Sequence, residues 1–285
     1  MSLKLLFKLA ISAILIGFVF GQIDTASFQA TLQKANLWWL LGAFVAFNLS
    51  KIVSAVRLNG YFRDLEIPLS QISNLKLYYL GMFYNLFLPG GIGGDGYKVY
   101  WLHQRYKTTI KSLVLATLLD RVSGVAALGF LAAILFVLSD FKTLSDCLNI
   151  FAIIFALGVL PLYLVVCRKF FDTFNASLYK STFLALVVQL LQLLSALFIV
   201  YAINASAILQ YLTIFLISSV IAILPLTIGG VGAREFTFFY AFGLIALEPN
   251  SGVVFCLLFF ILTALSSLVG LFFIEGKFNT TAKKT

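Results

Sequence analysis

Twice in this chain a proline and a run of glycines interrupt sequence that is otherwise apolar enough for a bilayer. The first interruption is Asn85-Leu86-Phe87-Leu88-Pro89-Gly90-Gly91-Ile92-Gly93-Gly94-Asp95-Gly96-Tyr97-Lys98. The second is Leu224-Pro225-Leu226-Thr227-Ile228-Gly229-Gly230-Val231-Gly232-Ala233-Arg234-Glu235. Aligned on the glycines, Gly90-Gly91-Ile92-Gly93 matches Gly229-Gly230-Val231-Gly232, and that register sets Asp95 opposite Arg234. Non-helical backbone at membrane depth is tolerated only where it is buried in protein or lines a wet cavity. Paired interrupted segments in two halves of a membrane protein point to a binding site at the repeat interface.

The composition supports the membrane setting. Of 285 residues, 61% are hydrophobic and 11% charged, against about 25% charged in soluble domains. The chain therefore reads as an all-α integral membrane protein, and no polar stretch is long enough for a soluble catalytic domain. One His and the scattered Cys147, Cys167 and Cys256 offer neither metal-ligand spacing nor a disulfide framework. No metal, cofactor or catalytic residue is expected. The net charge of +9 is read as basic loops beside anionic lipid headgroups, not as a nucleic-acid signal.

Residues 1–21 read as an uncleaved first span, entered from the cytoplasm. Residues 22–36 form a polar connection, and Trp38 and Trp39 mark an interface. Further spans are expected over 37–56, 112–138, 148–167, 181–202 and 251–274, with a charged loop over 57–76. The apolar limb 77–88 has twelve residues, a rise of roughly 18 Å against a hydrocarbon core of about 30 Å. It reads as one arm of a hairpin that dips into the membrane and returns, with 97–102 as the other arm. Residues 207–224 and 236–247 make the second hairpin.

This arrangement puts Lys4, Lys8, Arg57, Arg63, Lys76, Lys98, Arg105, Lys107, Lys111, Arg168, Lys169, Lys180, Lys277, Lys283 and Lys284 on the cytoplasmic side. Lys34 and Lys142 fall outside, and Lys51, Arg121 and Arg234 stay within the membrane. If every limb crossed, the clusters at 98–111, 168–180 and 277–284 would face outward, against the positive-inside rule. The expected fold is thus a single domain over 1–285, with about six full spans and two re-entrant hairpins. It forms an inverted repeat divided near residue 138, since three crossings per half is an odd number.

The candidate substrate-binding residues are Asn85, Pro89, Gly90, Gly91, Gly93, Gly94, Asp95, Lys98, Asp120, Arg121, Gly229, Gly230, Gly232, Arg234 and Glu235. The glycines permit φ > 0 and close backbone approach to a ligand. The helix that follows each break offers free N–H groups to an anion such as phosphate. Six ionisable residues are expected at depth: Asp95, Asp120, Arg121, Arg234, Glu235 and, less deep, Lys51, whose proximity to Arg57 suggests snorkelling. A lone charge at helix centre costs roughly 2.5–3.5 kcal/mol on insertion scales. Three acids facing three bases also fit plain internal neutralisation. Adjacent helical residues do not face one another, so Asp120 and Arg121 need partners on other segments; Asp95 with Arg121 and Arg234 with Asp120 are candidates. Tyr78, Tyr79, Tyr84 and Tyr97 read as interface or packing aromatics.

These motifs resemble the transmembrane domain of the lysyl-phosphatidylglycerol synthase/flippase family. The resemblance rests on Asn85 with Leu88-Pro89-Gly90-Gly91-Ile92-Gly93-Gly94-Asp95, on Asp120-Arg121 with Gly124, and on Pro225 with Gly229-Gly230-Val231-Gly232-Ala233-Arg234-Glu235. It covers most of the chain and implies a polytopic fold with re-entrant helices that moves lipids between leaflets. Family members with synthase activity carry a soluble aminoacyl-transferase domain that is not among these residues, so lysyl transfer is not expected.

The leading expectation is a flippase-like transporter of a phospholipid or a lipid-linked anionic headgroup in the bacterial cytoplasmic (inner) membrane, both termini cytoplasmic. The alternatives are a membrane-embedded transferase with Asp95 or Asp120 as base, and a membrane partner of a separate lipid synthase. Membrane lipids are the expected partners, with a second copy of the chain or a lipid-modifying enzyme left open and nucleic acid excluded. Single cysteines at positions 107 and 277 should be shielded from an impermeant thiol reagent added outside, and one at position 250 should react. External labelling of the first two would remove the re-entrant arrangement and the inverted repeat.

Overall fold

The computed structural model describes residues 25–87, 93–139, 141, 145–223 and 232–274 of the chain. Within them the regular structure is helical. The helices are α1 (Thr25–Gln33), α2 (Leu37–Asp64), α3 (Gln71–Phe87), α4 (Gly93–Tyr106), α5 (Ile110–Leu138), α6 (Asp146–Phe170), α7 (Leu178–Ala202), α8 (Ile208–Ile223), α9 (Ala233–Leu244) and α10 (Pro249–Leu268). Short 3-10 turns follow at Asp172–Phe174 and Val269–Phe273. Among the described residues, five helical stretches are long and apolar enough to cross a membrane: Leu37–Asp64, Ile110–Leu138, Asp146–Phe170, Leu178–Ala202 and Pro249–Phe273. The expected first span at 1–21 lies outside the described residues. So do the centres of both breaks, at 88–92 and 224–231, and the lysines at 277, 283 and 284.

Boundary signals explain most helix ends. Asn36 accepts from Trp38 N at 2.9 Å and starts α2, and Thr109 accepts from Ser112 N at 3.3 Å and starts α5. Positive φ at Glu66 (58°) and Asn204 (53°) turns the chain after α2 and α7. The connection expected over 22–36 is itself partly helical, as α1.

α2 and α7 form the most extensive helix pair. Small residues line their contact: Ala43, Ala46 and Ser50 on α2, and Ser181, Ala185, Ser195 and Ala196 on α7 are buried. Ser195 Oγ donates to the Ala43 carbonyl at 2.8 Å. Between helices in lipid, such close backbone approach and cross-helix hydrogen bonding replace the hydrophobic drive that lipid removes. Leu157, Leu162 and Val165 on α6 stay exposed, as side chains facing acyl chains do.

The apolar core is divided in two. One cluster gathers Phe47, Ile199, Phe215, Phe238 and Phe255 around α8 and α9; the other gathers Tyr61, Leu77, Leu102, Leu119 and Cys167 around α3 and α4. α2 runs through both, and between its Phe47 and Leu58 it buries Ser50, Ser54 and Arg57. α5 repeats the pattern, with Asp120 and Ser123 between Leu119 and Leu128. A polar belt thus separates two apolar clusters.

Three expectations need correction here. The second span does not stop at residue 56: α2 continues through Arg57 and Arg63 to Asp64, and Arg57 is 5% exposed. A charge was taken to end the membrane segment, but a charge with a buried partner need not. Lys98, assigned above to the cytoplasmic surface, is likewise 5% exposed. The limbs of the first hairpin are longer than expected. α3 has 17 residues and α4 has 14, with α4 beginning inside the glycine run. At 1.5 Å per residue these rise about 25 and 21 Å, still short of a core of about 30 Å.

The glycines of α4 act by closeness, not by unusual φ. Gly93, Gly94 and Gly96 lie in the helix, and Gly232 is the glycine at positive φ (86°) among the described residues. A Cβ on Gly94 would overlap the Gly81 carbonyl of α3, whereas one on Gly96 meets nothing within 4 Å. Gly94→Ala should therefore lower the folded yield in detergent, costing about 1–3 kcal/mol or more as overpacking does. Gly96→Ala should be neutral or stabilising by up to about 1 kcal/mol. Equal yields and unfolding temperatures for the two variants would contradict the close α3–α4 contact.

Candidate functional site

The first hairpin brings Asp95 into the first turn of α4, where a carboxylate is favoured by the helix dipole. Lys98 Nζ donates to Asp95 Oδ1 at 3.1 Å, and Arg121 Nε on α5 donates to Oδ2 at 2.5 Å. Lys98 crosses the face that Gly81 leaves bare and sets Nζ 4.5 Å from the ring centre of Tyr78. Asn85 Oδ1 accepts from Gly94 N at 2.8 Å, tying the end of α3 to the start of α4.

Asp120 turns the other way. Its Oδ1 accepts from Arg57 Nε of α2 at 2.7 Å, with both side chains largely buried. Neighbours in sequence thus join α5 to two different helices. The guanidinium passes over Gly124, where a Cβ would sit 3.5 Å from Arg57 Nη1, in ordinary contact. Nη1 and Gln189 Oε1 are buried without a hydrogen-bond partner among the described residues. Gln189 Nε2 meanwhile donates to the Gly124 carbonyl at 3.1 Å.

The second hairpin is built differently. Glu235 reaches back to accept from Gly232 N at 2.7 Å and caps α9. Arg234, one residue earlier, makes no ion pair among the described residues. Its guanidinium carbon lies 5.5 Å from the ring centre of Phe215 and 4.8 Å from that of Phe259. Lys51, at the middle of α2, places Nζ 4.4 Å from the ring centre of Phe47. Phe47 and Phe259 touch at 5.7 Å, Phe215 and Phe259 at 4.8 Å. Lys51 lies within electrostatic range of Arg57, Arg234 and Asp120.

The charges therefore form one tract spanning both hairpins, from Arg121, Asp95 and Lys98 through Asp120 and Arg57 to Lys51, Arg234 and Glu235, with Arg57, Lys98, Asp120 and Glu235 buried, Lys51 and Arg234 half-buried and Arg121 exposed. Cations exceed carboxylates in it, because Arg57 and Lys98 join the expected set. The stretches 88–92 and 224–231, outside the described residues, contain no Asp or Glu. An aromatic face contributes about 0.5–2 kcal/mol to a cation, against roughly 2.5–3.5 kcal/mol for a charge at helix centre. For Lys51 and Arg234 the aromatic contacts offset only part of that cost.

Of the residues singled out in the sequence, Asn85, Gly93, Gly94, Asp95, Lys98, Asp120, Arg121, Gly232, Arg234 and Glu235 are described. Pro89, Gly90, Gly91, Gly229 and Gly230 lie outside the described residues. Of the two candidate pairings, Asp95 with Arg121 is formed. Asp120 does not pair with Arg234, since Arg57 occupies it. The helix starts offer an anion less than expected: the Gly94 and Gly232 amides are already met by Asn85 and Glu235, which satisfy otherwise orphaned donors. Tyr78 belongs to the charged network through Lys98, whereas Tyr84 and Tyr97 pair ring to ring at 4.7 Å as packing. Lys51 is not simply snorkelling, given its aromatic seat. Arg57 was missed, although Ser50, Ser54, Arg57 and Tyr61 recur at helical spacing and mark one face of α2.

The chain matches the sequence model of the family described as Lysylphosphatidylglycerol synthase TM region over residues 5–270. It belongs to that family. No curated protein matches the chain.

Removing Arg57 alone should leave Asp120 buried and unpaired. Arg57→Leu should destabilise the protein by about 3–5 kcal/mol, and Arg57→Leu with Asp120→Leu should recover most of the loss, as apolar replacement of buried pairs does. Thermal unfolding in detergent reads both. A double variant no more stable than the single would contradict the pairing.

Proposed function

We propose that this member of the family is a flippase-like transporter that moves a phospholipid, or a lipid-linked anionic headgroup, between leaflets. The observation that carries the reading is the largely buried tract of charges, richer in cations than in carboxylates, running between the two apolar clusters. A headgroup crosses a bilayer at low cost only if protein dipoles and charges stand in for water. The tract offers such a route, while the acyl chains remain in lipid beside the exposed apolar faces.

The helix order favours the repeat that transport by alternating access uses. Span, span, short helix pair, span fits the first half if residues 1–21 cross, and α6, α7, α8 with α9, then α10 repeat it. The α8 and α9 limbs have 16 and 12 residues, rising about 24 and 18 Å. We read both short pairs as re-entrant and the halves as inverted, with the charged tract at their interface. The same topology puts both termini on the cytoplasmic side of a bacterial inner membrane. Asp95 and Asp120, the bases a transferase would need, are each held by cations, which favours transport over group transfer.

Reconstitution into vesicles with a headgroup-labelled phosphatidylglycerol tests this reading. Label should become protected from an external quencher only in vesicles containing the protein, and its mass should be unchanged. A covalently altered headgroup would mean a transferase. No movement of any anionic lipid would overturn the proposal.

A further inference from the structure

We infer that Lys51 and Arg234, seated on the Phe47–Phe259–Phe215 cluster, form the subsite that takes the phosphate group of a lipid headgroup. The inference rests on the transport reading for its occupant and names where in the tract the negative charge binds.

The two ends of the tract differ in what they still lack. Asp95 already has Lys98 and Arg121, and Asp120 has Arg57. A phosphate brought there would face carboxylates at close range. Glu235 is occupied at the cap of α9. Lys51 and Arg234 have no carboxylate partner among the described residues; aromatic faces support them instead. They stand on two helices, α2 and α9, and repel each other across adjoining rings. An anion between them relieves that repulsion and completes both cations. Arg57, close enough to act on Lys51, carries the buried Nη1 that makes no hydrogen bond among the described residues.

The chemistry selects an occupant. A guanidinium and an ammonium seated on adjoining rings suit an oxyanion with several acceptor oxygens, as a phosphate is. The phenyl rings suit the apolar glyceride carbons next to a lipid phosphate. A diacylglycerol, with the same tails and no phosphate, has nothing for the cations to hold.

The test is binding to the full chain in a neutral detergent, read as a rise in unfolding temperature. Dioctanoyl phosphatidylglycerol should stabilise the protein in a saturable way, and dioctanoylglycerol should not. Lys51→Gln and Arg234→Gln should each weaken the apparent affinity about tenfold or more, the loss of one charge-assisted hydrogen bond. Lys51→Arg, which keeps the charge, should bind far better than Lys51→Gln. Inorganic phosphate binding as tightly as the lipid would support the anion subsite and assign it to the free ion. If the Gln variants do not fold, acylation of the wild-type lysines decides: phosphatidylglycerol should slow modification of Lys51 several-fold and leave Lys98 unchanged. Undiminished affinity in both Gln variants, equal response to dioctanoylglycerol, or unprotected Lys51 would overturn the inference. Lipid movement that persists in both Gln variants would overturn the subsite and leave the transporter. Binding without movement would do the reverse.

Discussion

A charge placed where water cannot reach it must have a partner, and the Arg57–Asp120 pair is where this fold meets that requirement most fully. The pair joins α2 to α5 at 2.7 Å, at the level where the apolar core is interrupted. Everything near it follows from the same demand. The guanidinium packs over Gly124 of α5. Asp120 being taken, Arg121 turns to Asp95 and so ties α5 to the first hairpin. Lys98 completes that carboxylate from within its own helix. Small residues at the α2–α7 contact let the helix that carries Arg57 approach its neighbour closely.

The consequence is an asymmetry between the halves. The first hairpin holds its carboxylate between two cations. The second holds its carboxylate at a helix cap and leaves Arg234 on phenyl rings. Register alone already set Asp95 opposite Arg234, and the structure gives those positions different surroundings. A symmetric scaffold of matched salt bridges would serve stability alone. Each end carries one more cation than carboxylate; they differ in that the first end's cations are paired with Asp95, whereas Lys51 and Arg234 at the second rest on phenyl rings.

Much of this was legible in the sequence, for physical reasons. Apolar runs longer than a bilayer needs gave five of the expected spans, and the Pro/Gly breaks marked the short helix pairs α3–α4 and α8–α9. The rule that neighbours on a helix diverge sent Asp120 and Arg121 to different segments; of the two pairings left open, Asp95 with Arg121 is formed and Arg234 with Asp120 is not. The reading failed at Arg57 and Lys98 because charge was used as a marker of the membrane surface. That marker holds for unpaired lysines and arginines; it fails once a carboxylate waits at the same depth, on another helix for Arg57 and three residues earlier on the same helix for Lys98, and contacts between distant segments cannot be read from one stretch of chain. The glycines were expected to supply φ > 0, yet Gly94 supplies absence of bulk against Gly81. Periodicity identifies a helix face, but it does not say which neighbour the face will touch.

The central claim is that the buried charges form a route for a headgroup and not merely a brace. Lipid movement measured in vesicles with Arg57 and Asp120 both replaced by leucine tests it directly. The account predicts a folded protein in which labelled phosphatidylglycerol no longer crosses, because the tract is cut at its middle while its net charge is unchanged. Movement at the rate of the unaltered protein would contradict it and would leave the charges as scaffold.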